Sequence, residues 1–273
     1  KNTIKIVGNS SDFTAQGYFV YDSKKSGAVT VSHLRFARHP FQRPYLIKRA
    51  HFVGCHQLEL LEQLPVLERA REGATLLVNS PHGQDTWARL AHEVQQEILS
   101  KHLQVHVIDA YRIALENGLG RHINTVMQTC FFALSGLIPL ERALADLKQA
   151  IGKSYAKKGP EVVQHNLDAV DATLAQLAPL TLADSATSSR PRHLTVPHQA
   201  PDFVQRVTSA LLAGHGDLLP VSAFPVDGTW PTGTSRWEKR GLATEIPIWD
   251  AELCIQCNKC VLVCPHAAIR AKV

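Results

Sequence analysis

The sequence has little methionine, little negative charge at its start, and no long apolar run. Met127 is the one methionine. No hydrophobic stretch approaches the roughly 20 residues that a membrane-spanning helix needs, so no membrane span is expected. There is no P-loop, no G-x-G-x-x-G and no G-x-S-x-G, which removes the commonest nucleotide and serine-hydrolase signatures. Fourteen histidines are present, but no H-x3-H lies on an expected helix beside a carboxylate, so they read as surface or packing residues. No internal repeat, heptad pattern or low-complexity tract appears. Catalytic residues of the acid–base or nucleophile kind are therefore not assigned: the expectation is none.

What is present begins with charge. Residues 1–50 hold nine Lys/Arg and two acids, a local charge of +7, while the other 223 residues sum to −2 within a total of +5. A basic end suits an anionic partner, or is an ordinary solvated face. Nucleic acid is disfavoured, because no helix-turn-helix, zinc-finger or RNA-binding signature accompanies the charge. At 45% hydrophobic and 19% charged, the chain fits a globular protein with a real core.

Periodicity gives the fold class. Q-G-Y-F-V-Y and G-A-V-T-V-S-H-L-R-F read as strands around the turn D-S-K-K-S-G. Residues 51–55, 75–80 and the run L-Q-V-H-V-I-D read as buried parallel strands. Between them, helices are expected over 56–72 and from Asp85 (as N-cap) to His102. Further helices are expected over 110–117, 121–135, from Pro139 onward, and over 160–177. Strands alternating with helices argue a layered α/β domain with a mainly parallel sheet. Residues 181–202 are rich in Ser, Thr and Pro and read as a linker. A short helix over 202–214 and an irregular Pro/Gly/Trp-rich connector follow.

Three places carry possible binding chemistry. Ser23-Lys24-Lys25-Ser26-Gly27 is an anion cradle or a plain basic turn. The Asn79-Ser80-Pro81 loop ends a strand where open α/β sheets bind ligands, or is a simple connection. Asn124 and Gln128, with Thr125 between them, share a helix face that is either a polar stripe in a cleft or solvated surface.

The most specific signal is C-I-Q-C-N-K-C-V-L-V-C-P, with Cys254, Cys257, Cys260 and Cys264. This C-x2-C-x2-C-x3-C-P spacing is the cysteine run of two-cluster bacterial ferredoxins, in which the fourth cysteine ligates the neighbouring cluster. The expectation is that Cys254, Cys257 and Cys260 hold one [4Fe–4S] cube and Cys264 belongs to a second. A zinc site normally pairs two C-x2-C knuckles across a longer spacer. Cys55 and Cys130 are expected to be buried small hydrophobes. With most cysteines in a ligand run, the expected setting is a reducing cytoplasm. No second run follows, and the sequence opens K-N-T-I-K-I without Met, so an internal piece of a longer protein is expected.

Four stretches together resemble pyruvate:ferredoxin (flavodoxin) oxidoreductases: residues 16–36, H-I-N-T-V-M-Q-T, S-R-W-E-K-R-G, and I-P-I-W-D-A-E-L-C through Arg270. The resemblance implies a Rossmann-like gamma-type α/β domain over 1–185, associated with coenzyme A. It implies a linker and E-K-R connector over 186–246, with Trp237-Glu238-Lys239-Arg240 at its centre. It implies the start of a two-cluster ferredoxin domain over 247–273, a partial ferredoxin-like iron–sulfur segment. Lys24, Lys25, Ser26 and Gly27 would lie near coenzyme A phosphates, with Asn124 and Gln128 near the same cleft; Asn79 is a cofactor-binding candidate from its strand-end position alone. Thr3–Gly8 would be the tail of a helix. Family members are large homodimers that decarboxylate pyruvate on thiamine diphosphate and Mg2+ and pass electrons through three [4Fe–4S] cubes to ferredoxin or flavodoxin. The thiamine-binding domains would lie elsewhere in the parent enzyme, and the first strand and Gly-rich loop of the coenzyme A cradle immediately before Lys1; His215-Gly216-Asp217 is not the family's G-D-G. Two other readings stay open: a stand-alone iron–sulfur electron-transfer module, and a zinc-binding interaction module.

Overall fold

Residues 75–79 of the strand Ala70–Asn79 show how this chain builds its core. Leu76 and Val78 point to one face, Leu77 to the other, and all three are at most 1% exposed. A strand covered on both sides needs no polar alternation, which is why it reads as a continuous apolar run. The computed structural model describes residues 2–10, 12–21, 29–238, 246–265 and 267–272. They fall into two units, 1–240 and 241–273.

In the first unit, α1 (Asn2–Ser10) precedes an antiparallel pair, β1 (Thr14–Val20) and β2 (Val31–Ala37), in register from Thr14↔Ala37 to Val20↔Val31. Then come β3 (Ala50–Cys55), the one-turn α2 (Leu60–Gln63) and β4 (Ala70–Asn79). The one-turn α3 (Thr86–Arg89), α4 (His92–Ser100) and β5 (Gln104–Ile108) follow. Four helices, α5 (Ala110–Glu116), α6 (Asn124–Ser135), α7 (Leu140–Tyr155) and α8 (Pro160–Gln176), lead to the two-residue β6 (Ala178–Pro179). The sheet order is β3-β4-β5-β6, with the first three strands parallel and β6 antiparallel. The layered α/β class with a mainly parallel sheet is the one expected.

One sheet face packs Leu76, Val78, Val105 and Val107 against Val94 and Ile98 of α4. The other packs Leu77 and Ile108 against Ile113, Val126 and Cys130 of α5 and α6. A third cluster joins Ile6 and Val7 of α1 to Phe132, Leu147, Ile151 and Val170. Each such aliphatic side chain stabilises the fold by roughly 1.5–3 kcal/mol on burial. Gly17 permits the close approach of α1 to β1: a Cβ there would stand 2.0 Å from Ile4 Cδ1.

Two expected helices differ. The span 56–72 is not one helix: α2 covers a single turn, a 3₁₀ turn covers Val66–Arg69, and residues from Ala70 belong to β4. Pro65 is the reason, since it lacks an N–H and forces Leu64 into the extended region (φ −129°, ψ 151°). The span 85–102 is broken between α3 and α4, where Leu90 is extended and Asp85 makes no side-chain cap bond. There the Ala91 N–H is taken by Glu62 Oε1 at 3.0 Å. Thr3–Gly8 is helical, as the resemblance implied.

Residues 181–192 have no regular structure, as their composition suggests, but they are tied to the α/β unit. Gln95, with no exposed surface, accepts from the Thr187 and Ser188 N–H groups through Oε1 at 2.8 and 2.9 Å and donates to the Trp87 carbonyl through Nε2 at 2.7 Å. Glu62 takes a two-pronged ion pair from Arg190, at 2.6 and 2.9 Å. Arg190 also donates to the Arg89 carbonyl, and Arg192 to that of Leu64. Beyond this strap, a helical stretch ending in α9 (Ser209–Leu212) packs Val204 with Val196, Ala200 and Trp237. The second unit is irregular apart from α10 (Lys259–Val263).

Candidate functional site

The second unit carries the cysteine run on a loop and one helical turn. Asp250 Oδ1 accepts from the Glu252 N–H at 2.9 Å and tightens the entry to the loop. Gln256 and Asn258 then adopt left-handed backbones (φ 54° and 57°) that reverse the chain between successive cysteines. Non-glycine residues enter that region rarely, and asparagine does so more readily than most. The Asn258 carbonyl accepts from the Val261 and Leu262 N–H groups and starts α10. Cys260 sits on α10 and Cys264 closes it.

Backbone donors aim at two sulfurs. The Gln256 N–H lies 3.4 Å from Cys254 Sγ, and the Ala268 N–H lies 3.3 Å from Cys264 Sγ. The Gln256 N–H first, and the Trp249 side chain second, hold the Cys254 pKa below the ordinary thiol value. Donation to sulfur favours the thiolate, the form that ligates metal. Cys257 and Cys260 are exposed. The donor set thus fits an iron–sulfur cluster chemically. Among the described residues, though, no three His, Cys, Asp or Glu are gathered as a metal-holding group: the run is brought onto one turn, but its sulfurs are not brought together.

Cys55 and Cys130 are buried, and burial pushes both thiols up to about 12. They are inert packing residues, as expected.

The other expected site residues are scattered through the first unit. Lys24, Lys25, Ser26 and Gly27 lie outside the described residues. Asn79 ends β4 but is buried and engaged at both ends of its amide: Nδ2 donates to the His56 carbonyl and Oδ1 accepts from the Ala110 N–H, each at 2.9 Å. It ties the ends of β3 and β4 to the start of α5. Asn124 is exposed, whereas Gln128 is half-buried and donates to Thr3 Oγ1 at 3.1 Å. Thr125 is interior and donates to Asn166 Oδ1 at 2.6 Å. Of the E-K-R triplet, Glu238 is described and Lys239 and Arg240 are not. No helix among the described residues is long and apolar enough to cross a membrane.

Known proteins match this sequence along the whole chain. Residues 1–176 match the family described as pyruvate ferredoxin/flavodoxin oxidoreductase. The chain belongs to that family. Residues 190–243 match EKR, a domain of unknown function, and residues 247–270 match a 4Fe–4S binding domain. A putative pyruvate-flavodoxin oxidoreductase of Synechocystis sp. is 55% identical over 278 residues, and the pyruvate-flavodoxin oxidoreductase of Rhodospirillum rubrum is 55% identical over 273. Both matches cover 100% of this chain and 23% of the relative, so the chain spans about a quarter of the length of these relatives. Among solved structures, a pyruvate oxidoreductase subunit from Thermotoga maritima is similar at a TM-score of 0.49 and 17% identity, over 66% of this chain and 90% of that one.

Sequence reasoning missed the buried polar residues Glu62 and Gln95. Glu62 stands in an apolar run, L-E-L-L-E-Q-L, where it looks like one more exposed position of a helix.

Proposed function

We propose that this chain is part of a 2-oxoacid oxidoreductase that converts pyruvate and coenzyme A to acetyl-CoA, CO2, one proton and two electrons. The electrons go to ferredoxin or flavodoxin. The observation that carries this reading is the four-cysteine run inside a 4Fe–4S binding domain, in a chain matched end to end by relatives bearing the pyruvate-flavodoxin oxidoreductase name. A bound cluster supplies one-electron transfer. Cys254, Cys257 and Cys260 would hold one cube and Cys264 a second, with the Gln256 and Ala268 N–H groups stabilising thiolate charge.

In this reading residues 1–185 form a gamma-type domain, 186–246 the linker and EKR connector, and 247–273 the start of a two-cluster ferredoxin domain. Lys24–Gly27 would contact coenzyme A phosphates, with Asn124 at the same cleft; Gln128 and Asn79, both engaged internally, would shape that cleft rather than bind. Thiamine diphosphate and Mg2+ would be held by parts of a longer, homodimeric, cytoplasmic enzyme. The test uses the full-length protein. Cys257→Ser and Cys264→Ser should each alter the EPR signal of a different cube, and each should slow pyruvate- and coenzyme A-dependent flavodoxin reduction. If both substitutions erase the same signal, the two-cluster assignment fails.

A further inference from the structure

Two hydrogen-bond donors meet beside β2. His33 is 4% exposed. The Ile47 N–H donates to its Nδ1 at 3.1 Å. A backbone N–H can only donate, so Nδ1 bears no proton and the neutral ring carries its hydrogen on Nε2. Burial, then the charges of Arg69 and Arg35, holds the imidazole pKa below 6.5, which keeps the ring neutral at pH 7. Nε2 lies 3.5 Å from Arg69 Nη1, and a guanidinium also only donates. The contact is donor against donor.

The surroundings decide what kind of acceptor suits the gap. Arg35 lies two residues along β2 from His33 and shares its face. It donates to the Tyr45 carbonyl and stacks over the Tyr45 ring at 4.9 Å. Its Nη1 is buried without a partner among the described residues, and so is Oε1 of Gln16, its cross-strand neighbour. The His33 and Arg69 donors stand on the same side, facing each other. Among the described residues no carboxylate pairs with Arg35 or Arg69. A water would satisfy the hydrogen bonds but not two uncompensated cations. A dianion answers both, and does so better than a singly charged carboxylate.

We propose that His33 Nε2–H and the Arg69 guanidinium, with Arg35 beside them, form an oxyanion site that takes the phosphate group of a phosphorylated ligand. Arg69 is exposed, so a ligand reaches it from solvent. The buried imidazole supplies a donor fixed in direction by Ile47. The guanidinium fork supplies charge-assisted bonds to the same phosphate. The site does not rest on the coenzyme A reading, since none of its residues is among those assigned there.

The test is calorimetric titration of the full chain with inorganic pyrophosphate and, separately, with coenzyme A. Saturable pyrophosphate binding is expected. Arg69→Gln should weaken it by about tenfold or more, and Arg69→Lys by less. Arg71→Gln, on the exposed Arg71–His51 contact at 2.6 Å, should leave it unchanged. Nitrogen-15 spectra of the histidine side chains should show the His33 Nε2–H signal moving on saturation, a readout that needs no variant. If Arg69→Gln weakens both ligands, the phosphate belongs to coenzyme A; if it weakens pyrophosphate alone, another phosphorylated ligand uses the site; either result supports it. Absence of saturable binding, or equal losses in Arg69→Gln and Arg71→Gln, overturns the proposal and leaves the two donors to water. Flavodoxin reduction by the full-length protein tests the proposed activity independently.

Discussion

Residues 181–192 and residues 246–264 are both irregular, yet they are held in opposite ways. The first is fixed from outside itself. Its backbone and Arg190 are bound by Gln95 and Glu62, residues 92 to 128 positions away in sequence. The second is organised by its own neighbours, through two left-handed residues and N–H groups aimed at sulfur two and four residues back. It also buries little: Ile255 and Leu262 are 84% and 82% exposed. Long-range polar bonds make a chain segment part of a core. Local turns only prepare it to be completed by a ligand.

Removal of iron gives the sharpest contrast. In the full-length protein, chelation should accelerate protease cleavage within 246–272 by at least about tenfold, because metal binding and local folding are coupled. Cleavage within 181–192 should stay slow. Equal acceleration at both places, read by mass spectrometry of the fragments, would erase the distinction.

The second contrast reverses the target. Glu62→Ala leaves Arg190 and the Ala91 N–H without their shared acceptor. Arg190 is half exposed, so the loss is less than for a fully buried pair, about 2–3 kcal/mol in urea unfolding. The EPR signals of the clusters should be unchanged. A cost below about 0.5 kcal/mol would mean that the strap is merely laid on the surface.

The smallest effect concerns His33, a buried histidine and so a group whose ordinary pKa lies near neutral pH. Its pKa is lowered in the fold by burial, then by Arg69 and Arg35. The unfolded chain therefore binds its proton first, and stability falls as pH drops below 6.5. His33→Asn should flatten that dependence between pH 7.5 and 5.5. An unaltered slope would show that other histidines set it.

The same contrast explains what was legible in the sequence. The cysteine run was readable because its ligands are neighbours, and spacing alone carries the information. The strand at 75–79 was readable because burial on both faces leaves an apolar run, and those at 51–55 and 104–108 because short apolar runs end in turn residues. The helix expected over 56–72 was not, because Leu58, Leu61, Leu64 and Leu67 keep a helical period across Pro65, and the proline wins. The break at Leu90–Ala91 depends on Glu62, and no local pattern announces it. The strap looked like a linker because its partners lie far back in the chain. At the basic end, charge was legible from composition; the opposed donors of His33 and Arg69 were not, since β2 and the turn before β4 meet only in the folded chain.

The Glu62–Arg190 ion pair also sets a clock on biosynthesis. A ribosome adding 5–20 residues per second takes about 6–25 s to travel the 128 positions from one partner to the other. Through that interval Glu62 is already made, and Gln95 for all but its first part, while the groups that satisfy them have yet to be added. The nascent α/β unit waits with a carboxylate and an amide open along its flank, and its last closure follows only once residues 187–190 are made.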